Sequence, residues 1–114
     1  METDHTQALL NVNTNNVLQC TIALAALESV VDPEIGLNVV DLGLIYGIEF
    51  KECNIILTMT LTTRHCPMGD VIRTAVEQVM EETFSTMQIS VGLTFDPPWN
   101  PARISGTGKE FLNM

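Results

Sequence analysis

Two stretches in the middle of the chain alternate apolar and polar residues with a period of two, and they restrict the fold more than any other feature. Within residues 39–50, Leu42, Leu44, Tyr46, Ile48 and Phe50 fall on one side and Asp41, Gly43, Gly47 and Glu49 on the other. In the second stretch Ile55, Leu57, Met59 and Leu61 alternate with Thr58, Thr60 and Thr62. Successive side chains of an extended chain point to opposite faces, so each stretch reads as a strand with one face buried. The polar residues 51–54 between them suit the turn of a β-hairpin. A third alternating run, Ile89, Val91, Leu93 and Phe95 against Ser90, Gly92 and Thr94, ends at Asp96-Pro97-Pro98-Trp99.

Helical periodicity fills the intervals. Val17, Cys20, Leu24, Leu27 and Val31 recur at steps of three and four, predicting an amphipathic helix from near Asn16 to about Val31, where Pro33 disfavours helical geometry at Asp32. Met68, Ile72, Ala75, Val79 and Thr83, widened by Val76 and Met80, predict a second helix from Pro67, a residue suited to a first helical position, to about Glu82. Beyond Pro101 a final short helix is expected, interrupted by Gly106 and Gly108. The order α-β-β-α-β-(α) implies an α+β fold of two layers, a small three-stranded mixed sheet with helices on one face and the last two strands parallel. Residues 1–15, with Asn at 11, 13 and 15, read as a mobile polar tail, leaving 16–114 as one domain.

Composition narrows the function. Fourteen acidic against five basic residues give a formal charge of -9, which repels phosphate backbones and anionic membrane surfaces. The start of the chain lacks the basic residues of a secretory signal, and no apolar run approaches a membrane span, so a cytoplasmic protein is expected. Three cysteines, at 20, 53 and 66, form no Cys-x-x-Cys pair and no closed disulfide framework, so they are expected to be reduced thiols.

Among candidate functional residues Cys66 stands first. It follows a strand and precedes Pro67, which would place it at the N-cap of the second helix, where the helix dipole favours a thiolate able to bind soft metals or attack electrophiles. An inert, half-buried thiol is the structural alternative. Cys20 reads as a core residue and Cys53 as an exposed turn residue. His65 adjoins Cys66, but neighbouring side chains in extended chain diverge, so the two do not form a catalytic pair. Arg64 could supply positive potential near the thiol. Asp32-Pro33-Glu34, Asp41 and Asp96 offer carboxylates as turn caps or hard metal ligands, capping being the commoner use. Pro97 and Pro98 would hold Trp99 for core closure or a partner surface. No phosphate cradle, His-x-x-x-His pair or serine nucleophile motif is present, so no complete catalytic constellation is expected.

In combination these segments are specific. Val31-Asp32-Pro33-Glu34-Ile35, then Asn38-Val39-Val40-Asp41-Leu42-Gly43-Leu44-Ile45-Tyr46, Thr58-Met59-Thr60-Leu61-Thr62-Thr63, Cys66-Pro67-Met68 and Asp96-Pro97-Pro98-Trp99-Asn100-Pro101 occur in order. The chain resembles the SufT/PaaD-like family of metal-sulfur cluster biosynthesis proteins over roughly residues 17–105. The resemblance implies an iron-sulfur-assembly-type fold and an accessory, non-enzymatic role in assembling or delivering iron-sulfur clusters to client proteins, with Cys66 as the functional thiol. It further implies that Asp32, Pro33, Glu34, Asp41, Thr60, Thr62, Pro67, Asp96, Pro97, Pro98 and Trp99 gather around that thiol. PaaD-type members, associated with a multicomponent oxygenase, carry an additional Cys-rich C-terminal segment that this sequence lacks, so the SufT-like branch is the better match; a thiol enzyme and a structural adaptor are the other readings. A cluster normally takes four thiolate or comparable ligands. The expectation is therefore a labile cluster or iron held between chains, by Cys66 thiolates across a homodimer or by Cys66 with ligands from the assembly machinery or a client.

Overall fold

The computed structural model describes residues 11–64 and 67–113. It is an α+β fold with a four-stranded mixed sheet in the order β1-β2-β3-β4. The hairpin is present: β2 (Ile45–Phe50) and β3 (Asn54–Met59) pair antiparallel, closed by a bond from the Lys51 amide to the Asn54 carbonyl, 2.8 Å. Strand β4 (Gln88–Leu93) runs parallel to β3, as the strand-helix-strand step requires. The fourth strand corrects the expected count of three. It is β1 (Asn13–Thr14), parallel to β2, and it comes from the segment that composition alone assigns to a polar tail. Asn15 explains the pairing, because its side-chain amide donates to the Phe50 carbonyl and accepts from the Phe50 N–H, both at 2.9 Å. The amide thus continues the ladder in place of a backbone, and Val12 is buried beside it.

Helix α1 (Val17–Leu27) is capped by Asn16, whose side chain accepts from the Gln19 N–H. It stops four residues before the expected end. Ser29 and Val30 make tighter bonds to the carbonyls of Ala26 and Leu27, the Ser29 hydroxyl also takes the Ala26 carbonyl, and Val31 leaves to bridge Asn38. Helix α2 (Gly69–Thr83) begins two residues later than predicted, with Met68 at the N-cap and no side-chain cap. Pro67 is therefore in the preceding turn, and the cap position assigned to Cys66 belongs to Met68; Cys66 and His65 lie outside the described residues. At Gly69 an added Cβ would come 2.7 Å from a terminal methyl of Leu61, so the first turn of the helix packs closely against the chain leaving β3.

The predicted first strand also starts late. Residues 38–44 form a tight turn, in which the Leu42, Gly43 and Leu44 amides bond back to the Asn38, Val40 and Val39 carbonyls. Gly43 sits there at φ +76° with the Arg103 carbonyl 2.5 Å from where a Cβ would be. A bulge between Ile45 and Gly47 then shifts the alternation, so that Ile45, Ile48 and Phe50 are buried while Tyr46 lines the open side of the sheet with Glu49 and Thr58. Ile48, Ile55, Leu57, Met59 and Val91 meet Leu24, Leu27, Ile72, Val76 and Met80 in a single core. After a 3-10 turn (Pro101–Arg103), α3 (Gly106–Phe111) runs through both glycines rather than being broken by them. Ser105 caps it, and Gly108 lets it pack closely, since a Cβ there would lie within 3 Å of side-chain methyls of Ile104 and Leu37.

Candidate functional site

The sheet topology brings three loops to one end. Antiparallel pairing sets the start of β2 beside the end of β3, and parallel pairing sets the end of β4 there too. The motif residues divide between a hydrogen-bonded scaffold at this end and a mostly apolar groove that runs along α2.

Asp41 is the centre of the scaffold. It is 8% exposed, and its carboxylate accepts from the Asn38 amide and the Ser105 hydroxyl, each at 2.8 Å. Asn38 in turn accepts from the Val40 and Asp41 N–H groups, and Ser105 from the Gly108 N–H. The carboxylate therefore ties the 38–44 turn to the cap of α3, using oxygens a metal would otherwise need. Trp99 donates its indole N–H to the Leu42 carbonyl at 2.7 Å, and the Tyr46 hydroxyl donates to the Pro97 carbonyl at 2.8 Å. Arg103 completes the clamp: its Nε donates to the Gly43 carbonyl at 2.8 Å and its guanidinium lies 4.3 Å from the centre of the Tyr46 ring. Thr60 is fully buried, with its N–H on the Leu44 carbonyl and its hydroxyl in a long 3.5 Å contact with the Leu61 carbonyl. Thr62 is half-buried beyond it, and Asp96 and Pro98 are exposed. Asp96 is held by the Thr94 hydroxyl, which accepts from its N–H.

Asp32 is 2% exposed and also structural. Its carboxylate accepts from the Glu34 N–H at 2.9 Å, while its carbonyl accepts from Ile35 and Gly36, which shapes the Pro33-Glu34 turn. That turn presents Pro33 to a groove of about 400 Å³ whose walls also include Val31, Met68, Val71, Ala75 and Val79. The groove thus joins the Asp32-Pro33-Glu34 motif to the residues that directly follow Cys66-Pro67. On the other side of the loop after β3, the Arg64 guanidinium lies 4.9 Å over the Phe95 ring. The groove starts at Met68 and continues along α2 to Val79 and Glu82, and none of the residues of the Tyr46-Pro97 and Trp99-Leu42 contacts lines it.

The other thiols do not join this end. Cys20 is fully buried on α1, and burial pushes its pKa above the ordinary value of 9.0, against a smaller lowering by Thr14. Cys53 is exposed in the hairpin turn, where its carbonyl accepts from the Gln88 N–H, so the length of β3 separates it from Pro67. Among the described residues no three His, Cys, Asp or Glu side chains come together in a way that could hold a metal. The described donors alone do not fit a resident cluster.

A family model described as "Iron-sulfur cluster assembly protein" matches residues 22–91. The chain belongs to this family. It is 34% identical over 92 residues to the "Fe-S protein maturation auxiliary factor YitW" of Bacillus subtilis, an alignment covering 80% of this chain and 90% of that protein. With the "Fe-S protein maturation auxiliary factor SufT" of Staphylococcus aureus it shares 35% identity over 86 residues, covering 75% and 98%. Among solved structures, a domain of unknown function from Bacillus anthracis superposes with a TM-score of 0.76 at 36% identity, over 81% of this chain and 89% of that one. A conserved hypothetical protein from Thermotoga maritima gives 0.69 at 39%, over 81% and 91%.

Within this assembly-family fold, the motif positions Asp32 and Asp41 have scaffolding partners that pattern reading does not supply. Asn38 is visible as an Asx-type residue before a turn, but Ser105 lies 64 residues from Asp41 and Arg103 lies 60 from Gly43, and no local spacing reveals them. Of the groove residues, Val31 is read from spacing as the end of a buried helical stripe but is exposed beyond the helix, and Val71 is an apolar residue outside the stripe of the second helix.

Proposed function

We propose that this protein is a non-enzymatic accessory factor in the maturation of iron-sulfur proteins, acting through Cys66. Family membership over residues 22–91, and the two relatives named maturation auxiliary factors, support the accessory role. The observation that carries the choice of working surface is the groove shared by Pro33 and Met68. It brings the turn built by Asp32 to the residue two positions after Cys66, with walls that are mostly apolar and so suit a protein partner rather than a small polar substrate.

The cluster is cargo in this reading. Cys66 contributes one thiolate, and the remaining ligands come from a second chain, the assembly machinery or the client, which makes the cluster labile and transferable. Asp32, Asp41, Thr60 and Trp99 hold the surrounding loops in place, and Pro33, Pro67 and Met68 form the contact surface. Neither Cys20 nor Cys53 competes, one being buried with its proton retained and the other standing at the far end of β3.

The reading is tested in cells lacking the protein, by assaying two iron-sulfur enzymes and one iron-free enzyme under iron limitation. The iron-sulfur activities should fall and the control should not, with recovery on supplying the wild-type chain. Equal activities with and without the protein would refute it.

A further inference from the structure

Helix α2 carries two apolar stripes, and the core uses one of them. Ile72, Val76 and Met80 are buried, whereas Met68, Val71, Ala75 and Val79, spaced by three and four, line the groove beside them. Val71 is 55% exposed, and Val31 on the other wall, formed by residues 29–33, is 48% exposed. The groove follows α2 from Met68 to Glu82, about 20 Å at the rise of an α-helix. A helix suits this shape better than an extended segment. The backbone of α2 is bonded within the helix, so that wall offers no strand edge to pair with, and Ala75 at mid-length lets another helix approach closely.

Charge decides which helix. Glu82 lines the groove at one end of α2, and Glu34, which is exposed, adjoins Pro33 on the other wall. Among the described residues no Lys, Arg or His lines the groove. The arginines are engaged elsewhere, Arg64 over the Phe95 ring, Arg73 on the Val91 carbonyl and Arg103 on the Gly43 carbonyl. A second copy of this chain has no helix to match. Helix α1 bears no charge, α2 bears Asp70, Glu77, Glu81 and Glu82 against Arg73 alone, and α3 has only six residues. The occupant that complements the groove is therefore foreign and basic.

We propose that the groove takes a basic amphipathic helix of a partner protein, an inference that rests on the reading of the groove as the contact surface. The apolar stripe of that helix, at the i, i+3, i+4 and i+7 spacing of a helix laid in a groove, covers Val31 and Val71. Its Lys or Arg side chains meet Glu34 and Glu82. Burial of the apolar stripe supplies most of the affinity, and the carboxylates supply the preference for a basic partner. Met68 is two residues from Cys66, so the seated helix is held beside the segment that carries the thiol.

Fluorescence anisotropy on the full chain tests this with two designed helical peptides of groove length, which share a leucine stripe and differ in carrying flanking lysines or flanking glutamates. The lysine peptide should bind about tenfold more tightly at low ionic strength, and added salt should narrow the difference. Glu34→Lys combined with Glu82→Lys should abolish the preference, whereas Glu49→Lys combined with Glu52→Lys, on exposed residues outside the groove, should keep it. Ala75→Gln fills the groove without altering its charge and should remove binding; Val71→Ser gives a second check, each variant being compared with the wild type in its unfolding transition. Equal binding of the two peptides, a preference that survives the Glu34 and Glu82 reversal, or undiminished binding of a lysine peptide with a central proline would each overturn the proposal. So would a dimer in sedimentation equilibrium that Ala75→Gln dissociates, which would put a second copy in the groove. The complementation assay separates the two levels: wild-type iron-sulfur activity with Ala75→Gln would count against the groove as a contact surface, whereas activity lowered by Ala75→Gln but untouched by the Glu34 and Glu82 reversal would overturn the basic helix alone.

Discussion

The Asp41 loop and the groove shared by Pro33 and Met68 both draw on residues of the sequence motifs, yet they differ in how far their groups are satisfied. Asp41 is buried, and both of its carboxylate oxygens are taken, by Asn38 and by Ser105. Val71, in the groove, is 55% exposed, and Val31 beside it is exposed as well. A buried polar group with all its partners is costly to disturb and offers little to a ligand. Exposed apolar side chains on a concave surface stabilise the fold little and gain free energy when something covers them. Membership of one motif set therefore conceals two roles, and burial and hydrogen bonding separate them.

Asp41→Ala should have the largest effect on stability. It strands the Asn38 amide and the Ser105 hydroxyl and releases the cap of α3, so the loss should be about 2–4 kcal/mol in a urea unfolding experiment. A loss below about 0.5 kcal/mol would show that the loop is not the scaffold described. Trp99→Phe comes next. It leaves the Leu42 carbonyl without its 2.7 Å donor while preserving an aromatic ring, and about 1–2 kcal/mol should be lost. In the groove the order of effects reverses. Val71→Asp should change stability by no more than about 0.5 kcal/mol because the side chain is already mostly in water. It should nevertheless reduce iron-sulfur enzyme activity in the complementation assay. Retained activity with this variant would remove the groove from the working surface.

The buried thiol gives a smaller, pH-dependent effect. The Cys20 pKa is raised by burial above 9.0, so the folded state holds its proton at a pH where the unfolded chain releases it. Its contribution to stability is therefore complete below 9.0 and is lost as pH rises through the folded value. Unfolding midpoints measured from neutral to alkaline pH should fall more steeply for the wild type than for Cys20→Ala. Parallel curves would contradict this.

Periodicity is enough to place β3, β4 and the buried stripe of α2, because Leu57, Val91, Ile72, Val76 and Met80 are core residues at regular spacing. It is not enough for β1, where pairing depends on the side-chain amide of Asn15 standing in for a backbone rather than on any apolar pattern. Tyr46 illustrates a second limit. Its apolar phase is that of Ile48, but the bulge between Ile45 and Gly47 turns it toward Pro97, and a bulge leaves no mark in a binary pattern. The start of α2 illustrates a third, since Pro67 is a good first helical residue and yet the helix begins at Gly69, packed against Leu61. For the site, the motif positions are legible in the sequence. Their division into scaffold and groove is not, because it depends on contacts as distant as Asp41 with Ser105 and Trp99 with Leu42.

Cys66 is proposed to perform the maturation function, while Asp32, Asp41, Thr60 and Trp99 hold the loops and Pro33 and Met68 offer the contact surface. Serine keeps the approximate shape of cysteine but removes the soft thiolate, which isolates the chemistry from the scaffold. The most direct test is the rate at which purified Cys66→Ser, compared with wild type, supports anaerobic reactivation of an apo iron-sulfur enzyme from an assembled cluster donor, with both proteins' urea unfolding curves recorded alongside. The unfolding curves should superimpose, and the reactivation rate should fall to that of the donor alone. Superimposable curves with a wild-type rate would contradict it and move the function away from the thiol.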